Sequence, residues 1–147
     1  MKAENLMIGD WIKFQLDEDL SNQNSIETVI DLYKVGKVSA LDDNGNVRIT
    51  DNEGQEYQVT EDKIKPISVT EELLEKNDFG FLDTSNNEIK SVWTGWWILD
   101  GGLELGCFSN LKFPTFFNIS DVNIQVNYVH ELQHALKLCR IEKEIVL

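Results

Sequence analysis

The sequence predicts an α+β protein whose first two-thirds are mostly antiparallel sheet. Short alternating segments of apolar and polar residues, separated by turns rich in Gly, Asn and Asp, fill much of the chain up to about residue 67 and are typical of β-hairpins. Apolar spacing turns helical at only two places, after Thr70 and near the end of the chain. The length of 147 residues fits one domain of ordinary size.

Residues 1–68 are predicted to form a small barrel of the Src-homology-like type. An alternating strand over residues 11–14 follows a Gly-Asp turn, and residues 17–28, which lack periodicity, are predicted to be a loop. Strand patterns return at residues 29–33, 35–41, 46–50, 55–59 and 64–67. An Asn-Gly pair at residues 44 and 45 supplies the positive φ of a tight turn, and a second turn ends at Gly54. This density of short strands favours a closed or half-closed barrel.

Residues 69–147 are predicted to be an α+β part that forms one compact unit with the first. Thr70 is a suitable N-cap for a short helix over residues 71–76, and Asn77 suits its end. Nine of the 14 aromatic residues lie between Phe79 and Phe117. That segment is predicted to contain a hairpin over residues 96–105, followed by a strand over 122–126 and a final helix over 129–139.

The charge of the chain is strongly acidic and evenly spread. Thirteen basic and 26 acidic residues give −13, with −7 in residues 1–66 and −6 in residues 67–147. Such a chain is not expected to bind nucleic acid directly, although an acidic surface that mimics nucleic acid is an alternative. The absence of a long apolar run or a basic leader predicts a cytoplasmic protein without a membrane partner. Cys107 and Cys139 are accordingly expected to be thiols.

The segment His130-Glu131-Leu132-Gln133-His134 fits the H-E-x-x-H pattern, in which two histidines bind zinc and the glutamate acts as general base. Helical spacing places both histidines away from the apolar stripe, facing either a cleft or solvent. Catalytic zinc needs a third protein ligand, and this chain has no other histidine, so an upstream carboxylate would have to serve. A solvated helix face is therefore the preferred interpretation, and a zinc-dependent hydrolase using His130, Glu131 and His134 is the alternative.

Trp93, Trp96 and Trp97 surround Gly95 and form the second candidate site. Three indoles so close together can make a stacking platform for a sugar, a peptide or a second copy of the chain. Strand alternation places Trp96 on one face and Trp93 and Trp97 on the other, so both faces are expected to be covered. Core packing is the preferred interpretation, and a ligand groove is the alternative.

Three segments, residues 6–11, 64–77 and 128–136, resemble a group of uncharacterised short proteins of anaerobic gut bacteria and their phages. Many of those proteins carry Gln and Asn in place of Glu131 and His134, which implies that H-E-x-x-H arises here by coincidence on a polar helix face. They usually carry Gly in place of Asp78 and Arg140, so the helix ends are expected to differ. The resemblance implies a bacterial or phage origin and no catalytic activity.

These observations predict a non-enzymatic, acidic binding or accessory module with no cofactor. Its expected partner is another protein or a second copy of the chain. The zinc-dependent hydrolase and the nucleic-acid mimic remain the two alternatives.

Overall fold

Two five-stranded antiparallel sheets and two helices make up the described part of the chain, which confirms the α+β class. The computed structural model describes residues 1–16, 33–84, 93–100, 102–108, 115–119 and 122–147, without the side chains of 93, 94, 108, 117–119, 122 and 123. The predicted loop at 17–28 and most of the strand predicted at 29–33 lie outside this part. The chain divides into two compact units, Met1–Ile67 and Ser68–Leu147.

The first unit is a five-stranded antiparallel sheet. Three consecutive strands form two hairpins, and the two remaining strands lie side by side next to the first strand of these hairpins. Its strands are β1 (Trp11–Gln15), β2 (Tyr33–Leu41), β3 (Asn46–Asp51), β4 (Glu56–Thr60) and β5 (Ile64–Lys65). Their order is β4-β3-β2-β1-β5, and a 3-10 turn at Glu61–Lys63 joins β4 to β5. Neither this sheet nor the second closes on itself within the described residues, so the predicted barrel is not confirmed.

The two hairpin turns of the first unit use the same device. In each, an aspartate carboxylate accepts backbone N–H bonds from residues two and four positions ahead, all 2.9 Å long: Asp42 from Asn44 and Asn46, and Asp51 from Glu53 and Gln55. A glycine three positions after the aspartate has φ of 79° or 82°, a conformation that disfavours any residue with a β-carbon. The turns predicted around residues 45 and 54 are thus confirmed.

One face of this sheet builds the core of the first unit. Ile12, Phe14, Val38 and Ile49 are almost completely buried there, and Tyr57 packs against Phe14 with 5.1 Å between ring centroids. The core positions alternate with outward ones, as a half-buried antiparallel sheet requires.

The second unit starts with a helix, continues as a five-stranded meander and ends with a second helix. Its elements are α1 (Glu71–Lys76), β6 (Phe79–Asp83), β7 (Trp93–Leu99), β8 (Leu103–Phe108), β9 (Thr115–Ile119), β10 (Val122–Val126) and α2 (Val129–Leu138). The strands follow chain order across the sheet. The predicted Thr70 cap is confirmed, since its hydroxyl accepts a 3.2 Å bond from the Leu73 N–H. Among the described residues, no helix has the length and apolar content needed to cross a membrane.

The C-terminal segment of the second unit binds the end of α1. Asn77 is buried, and its side-chain amide both donates to the Val146 carbonyl (2.9 Å) and accepts from the Val146 N–H (2.8 Å). Ile145 beside this pair is buried, and Lys143 forms a 2.7 Å ion pair with Asp78. A buried amide that satisfies a peptide group in this way fixes the segment without an unpaired polar atom.

Candidate functional site

Glu131 of the H-E-x-x-H segment caps the helix on which it lies. Its Oε2 atom accepts bonds from the backbone N–H groups of Asn127 (2.8 Å) and Tyr128 (3.1 Å), just before the first turn of α2. These N–H groups have no acceptor within the helix, and a carboxylate there is also favoured by the helix dipole. Helix capping therefore accounts for a glutamate at this position without any catalytic role.

The two histidines of the segment lie in different environments. The prediction that both face a cleft or solvent is wrong for His130, which is only 5% exposed, whereas His134 is half-buried. The Tyr128 ring stacks on the His130 ring at 5.9 Å and 9°, and the His134 ring meets His130 edge-on at the same distance. A helical wheel of α2 could not predict the stacking of Tyr128 on His130, because Tyr128 precedes the helix.

The zinc hypothesis requires a third ligand near these histidines. Across the part of the chain that the structure describes, no three His, Cys, Asp or Glu side chains come together in a group that could hold a metal ion. The two imidazoles alone do not make the three-ligand site that catalytic zinc uses. The described residues therefore do not fit a catalytic zinc ion.

The tryptophan cluster is divided between the two faces of the second sheet. Trp97 is fully buried on the core face together with Leu99, as predicted. Trp96 and Ile98 lie on the opposite face and are only half-buried, so the prediction of two covered faces is correct for one face only. The side chain of Trp93 lies outside the described part. Of the three tryptophans, Trp96 is thus the one that the structure places on a partly exposed surface.

Trp96 belongs to a row of outward-facing residues that crosses the whole second sheet. The strand registers place the row's members opposite one another in sequence: Leu82, Trp96, Gly106, Phe116 and Gln125. Leu82 is 51% exposed and Phe116 is half-buried. Gly106 is buried although it has no side chain, so neighbouring groups lie over its backbone. We call Leu82, Trp96, Gly106 and Phe116 the aromatic row.

Sequence reasoning found only one member of this row. Leu82, Gly106 and Phe116 come from three other strands, and their adjacency depends on register, which the alternation within one strand does not reveal. The signal that was available is the single glycine of β8, which stands where an outward side chain would otherwise separate the aromatic groups of β7 and β9.

Gly95 explains how Trp97 is held on the core face. A β-carbon at Gly95 would overlap the ring of Phe81, which therefore lies against the glycine backbone. In this position the Phe81 ring packs on Trp97 with 4.9 Å between centroids and a 54° tilt. Such tilted aromatic contacts add to the stabilisation from burial.

Both cysteines are outside disulfides, as predicted. Cys107 is buried on the core face of β8, and burial raises the pKa of its thiol to about 11. A thiol with so high a pKa carries little thiolate at neutral pH and is a poor nucleophile. Cys107 is therefore placed as a core residue.

Comparison of the chain with protein-family models, with curated proteins and with solved structures finds no match in any of the three. The functional argument therefore depends on the geometry of the chain itself.

Proposed function

We propose that this chain is a non-enzymatic binding or accessory module of a bacterium or phage, acting in the cytoplasm on another protein or on a second copy of itself. The observation that carries the proposal is the aromatic row. Partly exposed Trp and Phe side chains grouped on one face are the residue types that supply most of the binding energy in protein interfaces. The row is broad and crosses strands, which suits a protein surface better than a small molecule.

We also propose that the first unit has a Src-homology-like barrel architecture. Its strand order places β1 between β2 and β5, with a 3-10 turn joining β4 to β5. A register shift between Val38 and Ala40 marks a bulge in β2, the device by which a strand bends to take part in both halves of a small barrel. Such barrels serve many unrelated functions, so this architecture supports a binding role only as a scaffold.

The decisive experiment compares two adjacent tryptophans. Trp96→Ser is expected to leave the protein folded and to remove its association, whereas the matched Trp97→Ser variant removes a core ring and is expected to unfold the second unit. Sedimentation velocity over a range of concentrations tests for self-association, and a photoreactive amino acid at position 96, with position 75 as control, tests for a partner in cells. A monomer that cross-links to nothing at position 96 would contradict the proposal.

The zinc-hydrolase alternative is tested on the same segment from which it arose. Metal content is measured by mass spectrometry on untagged protein and on His134→Ala, and peptide hydrolysis is assayed alongside. One equivalent of zinc that is lost in the variant would replace the binding module by the hydrolase. Glu131→Gln separates the helix-capping role of Glu131 from a role as general base, because Gln can cap the helix but cannot act as a base. Glu131→Ala removes the cap and should lower the stability by about 1 kcal/mol.

A further inference from the structure

Basic side chains gather on the outward face of the first sheet, although the chain as a whole is acidic. Lys65 of β5 lies directly opposite Lys13 of β1. Lys37 of β2 lies opposite Trp11, which is the neighbouring outward position of β1. Arg48 of β3 faces the same way, and Glu56 is the one acidic residue at an outward position of the described strands. Among the described residues of this unit, acidic side chains lie mainly in the hairpin turns and the 3-10 turn: Asp42, Asp43, Glu53, Glu61 and Asp62.

Two aromatic rings lie beneath these lysines. The Lys37 ammonium lies 4.8 Å from the Trp11 ring centroid, and the Lys65 ammonium lies 4.4 Å from that of Tyr33. Because Tyr33 is on β2 and Lys65 on β5, the Lys65 side chain crosses over β1 to reach it. Cation–π contacts of this kind hold an ammonium group in place over the ring.

The pairing of Lys13 with Lys65 is unfavourable in the isolated sheet. Residues directly opposite in an antiparallel pair have β-carbons about 5 Å apart, and like charges at that separation destabilise the pair. Among the described residues, no carboxylate lies within ion-pair distance of either ammonium group, and Lys65 is exposed while Lys13 is half-buried. An anion lying over both lysines would remove this repulsion.

We propose that the outward face formed by Trp11, Lys13, Tyr33, Lys37 and Lys65, here called the lysine face, binds a short acidic segment of a partner protein. A short acidic peptide meets the lysines and the aromatic groups beneath them without extending to the acidic turns at Asp42–Asp43 and Asp51–Glu53 of the same unit. A nucleic acid carries phosphates along its whole length and would be repelled by those turns and by the net charge of −13.

The inference deepens the proposed binding function but depends on a different surface, in the other unit. Its test is therefore separate from that of the aromatic row. Trp96→Ser is expected to leave acidic-peptide binding unchanged, so a failure of either proposal can be recognised by itself.

The probe is a hexaglutamate peptide, titrated into the full chain at low and high sodium chloride and followed by calorimetry and by the indole N–H resonance of Trp11. Wild-type protein is expected to bind, with an affinity that falls as salt rises. Lys13→Gln combined with Lys65→Gln should weaken binding about tenfold, since each removes one exposed charge pair. The control pair combines Lys34→Gln, at a position of β2 opposite Phe14 on the other side of the sheet, with Arg140→Gln in the second unit. It makes the same change in net charge outside the lysine face and should retain the affinity.

Three results would overturn the proposal. They are no binding of hexaglutamate at low salt, equal weakening by the control pair, and tighter binding of oligothymidylate than of hexaglutamate with the same dependence on Lys13 and Lys65. Circular dichroism of each variant confirms that a lost signal does not come from unfolding. The sheet retains its core in the Lys→Gln variants, because both positions face outward.

Discussion

Replacing Arg140 with glycine is expected to stabilise the second unit, because Arg140 holds a left-handed backbone at the end of α2. Its φ is 57°. The Arg140 N–H donates to the Lys137 carbonyl at 3.0 Å, and the Ile141 N–H donates to the Leu136 carbonyl at 2.9 Å. These two bonds form the Schellman motif, whose left-handed position is usually occupied by glycine. The structure thus requires of Arg140 a conformation that its β-carbon disfavours.

The magnitude follows from two opposing effects. In the left-handed region, a residue with a β-carbon lowers the stability of the folded state by about 1–2 kcal/mol. Glycine lowers the stability by about 0.4–1 kcal/mol for a different reason, because it gives the unfolded chain more conformational entropy. Arg140 is exposed, so few packing contacts are lost. The net gain is about 0.5–1 kcal/mol, which corresponds to a rise in Tm of about 2–8 °C for a unit of this size.

The assay is thermal and urea denaturation of wild type, Arg140→Gly and Arg140→Ala. Alanine removes the same long side chain but retains the β-carbon, so it should give none of the gain. Equal stability of the glycine and alanine variants would refute the reasoning. Asp78→Gly repeats the test at the end of α1, where φ is 62°, with a smaller expected gain because Asp78 also pairs with Lys143.

Three further predictions concern single side chains. Gly36→Ala should cost about 1–3 kcal/mol in urea denaturation, because a β-carbon there would lie 2.6 Å from a side-chain atom and 2.8 Å from a carbonyl oxygen of β3; a neutral result would contradict this. At neutral pH, thiol reagents should modify Cys139 well before Cys107, and equal rates by mass spectrometry would count against the buried thiol. The hydrogen bonds from Asn46 lower the pKa of Asp42, so this carboxylate stabilises the fold above about pH 3.9 and less as the pH falls through its own pKa. Asn46→Ala should raise that pKa in an NMR titration, and an unchanged midpoint would exclude the proposed cause.

Much of the local structure could be predicted from the sequence. The turn at Gly45, the Thr70 cap, the strand at Val122–Val126 and the start of α2 at Val129 all lie where the pattern placed them. The turn, the cap and the start of α2 depend on interactions between residues a few positions apart, and the strand follows from its local alternation of apolar and polar residues. The sequence alone therefore predicts such elements well.

The candidate sites could be predicted less well, because they depend on which strands are neighbours. The sequence pointed to Glu131 as a possible base, whereas its carboxylate binds the N–H groups of Asn127 and Tyr128. It placed His130 in a cleft or in solvent, whereas His130 is buried and the Tyr128 ring stacks on it. Glu131 and His130 both contact residues just before α2, which a helical wheel of α2 leaves out.

By itself, the sequence determined the α+β class, the positions of most turns and helices, and the large excess of acidic residues. Tertiary structure alone decided that Lys13 and Lys65 lie opposite each other on neighbouring strands. It also decided that Gly106 lies between Trp96 and Phe116 on three neighbouring strands. The physical reason is that alternation fixes only which residues of one strand share a face. The register between strands fixes which of those residues meet, and it depends on core packing of the whole sheet.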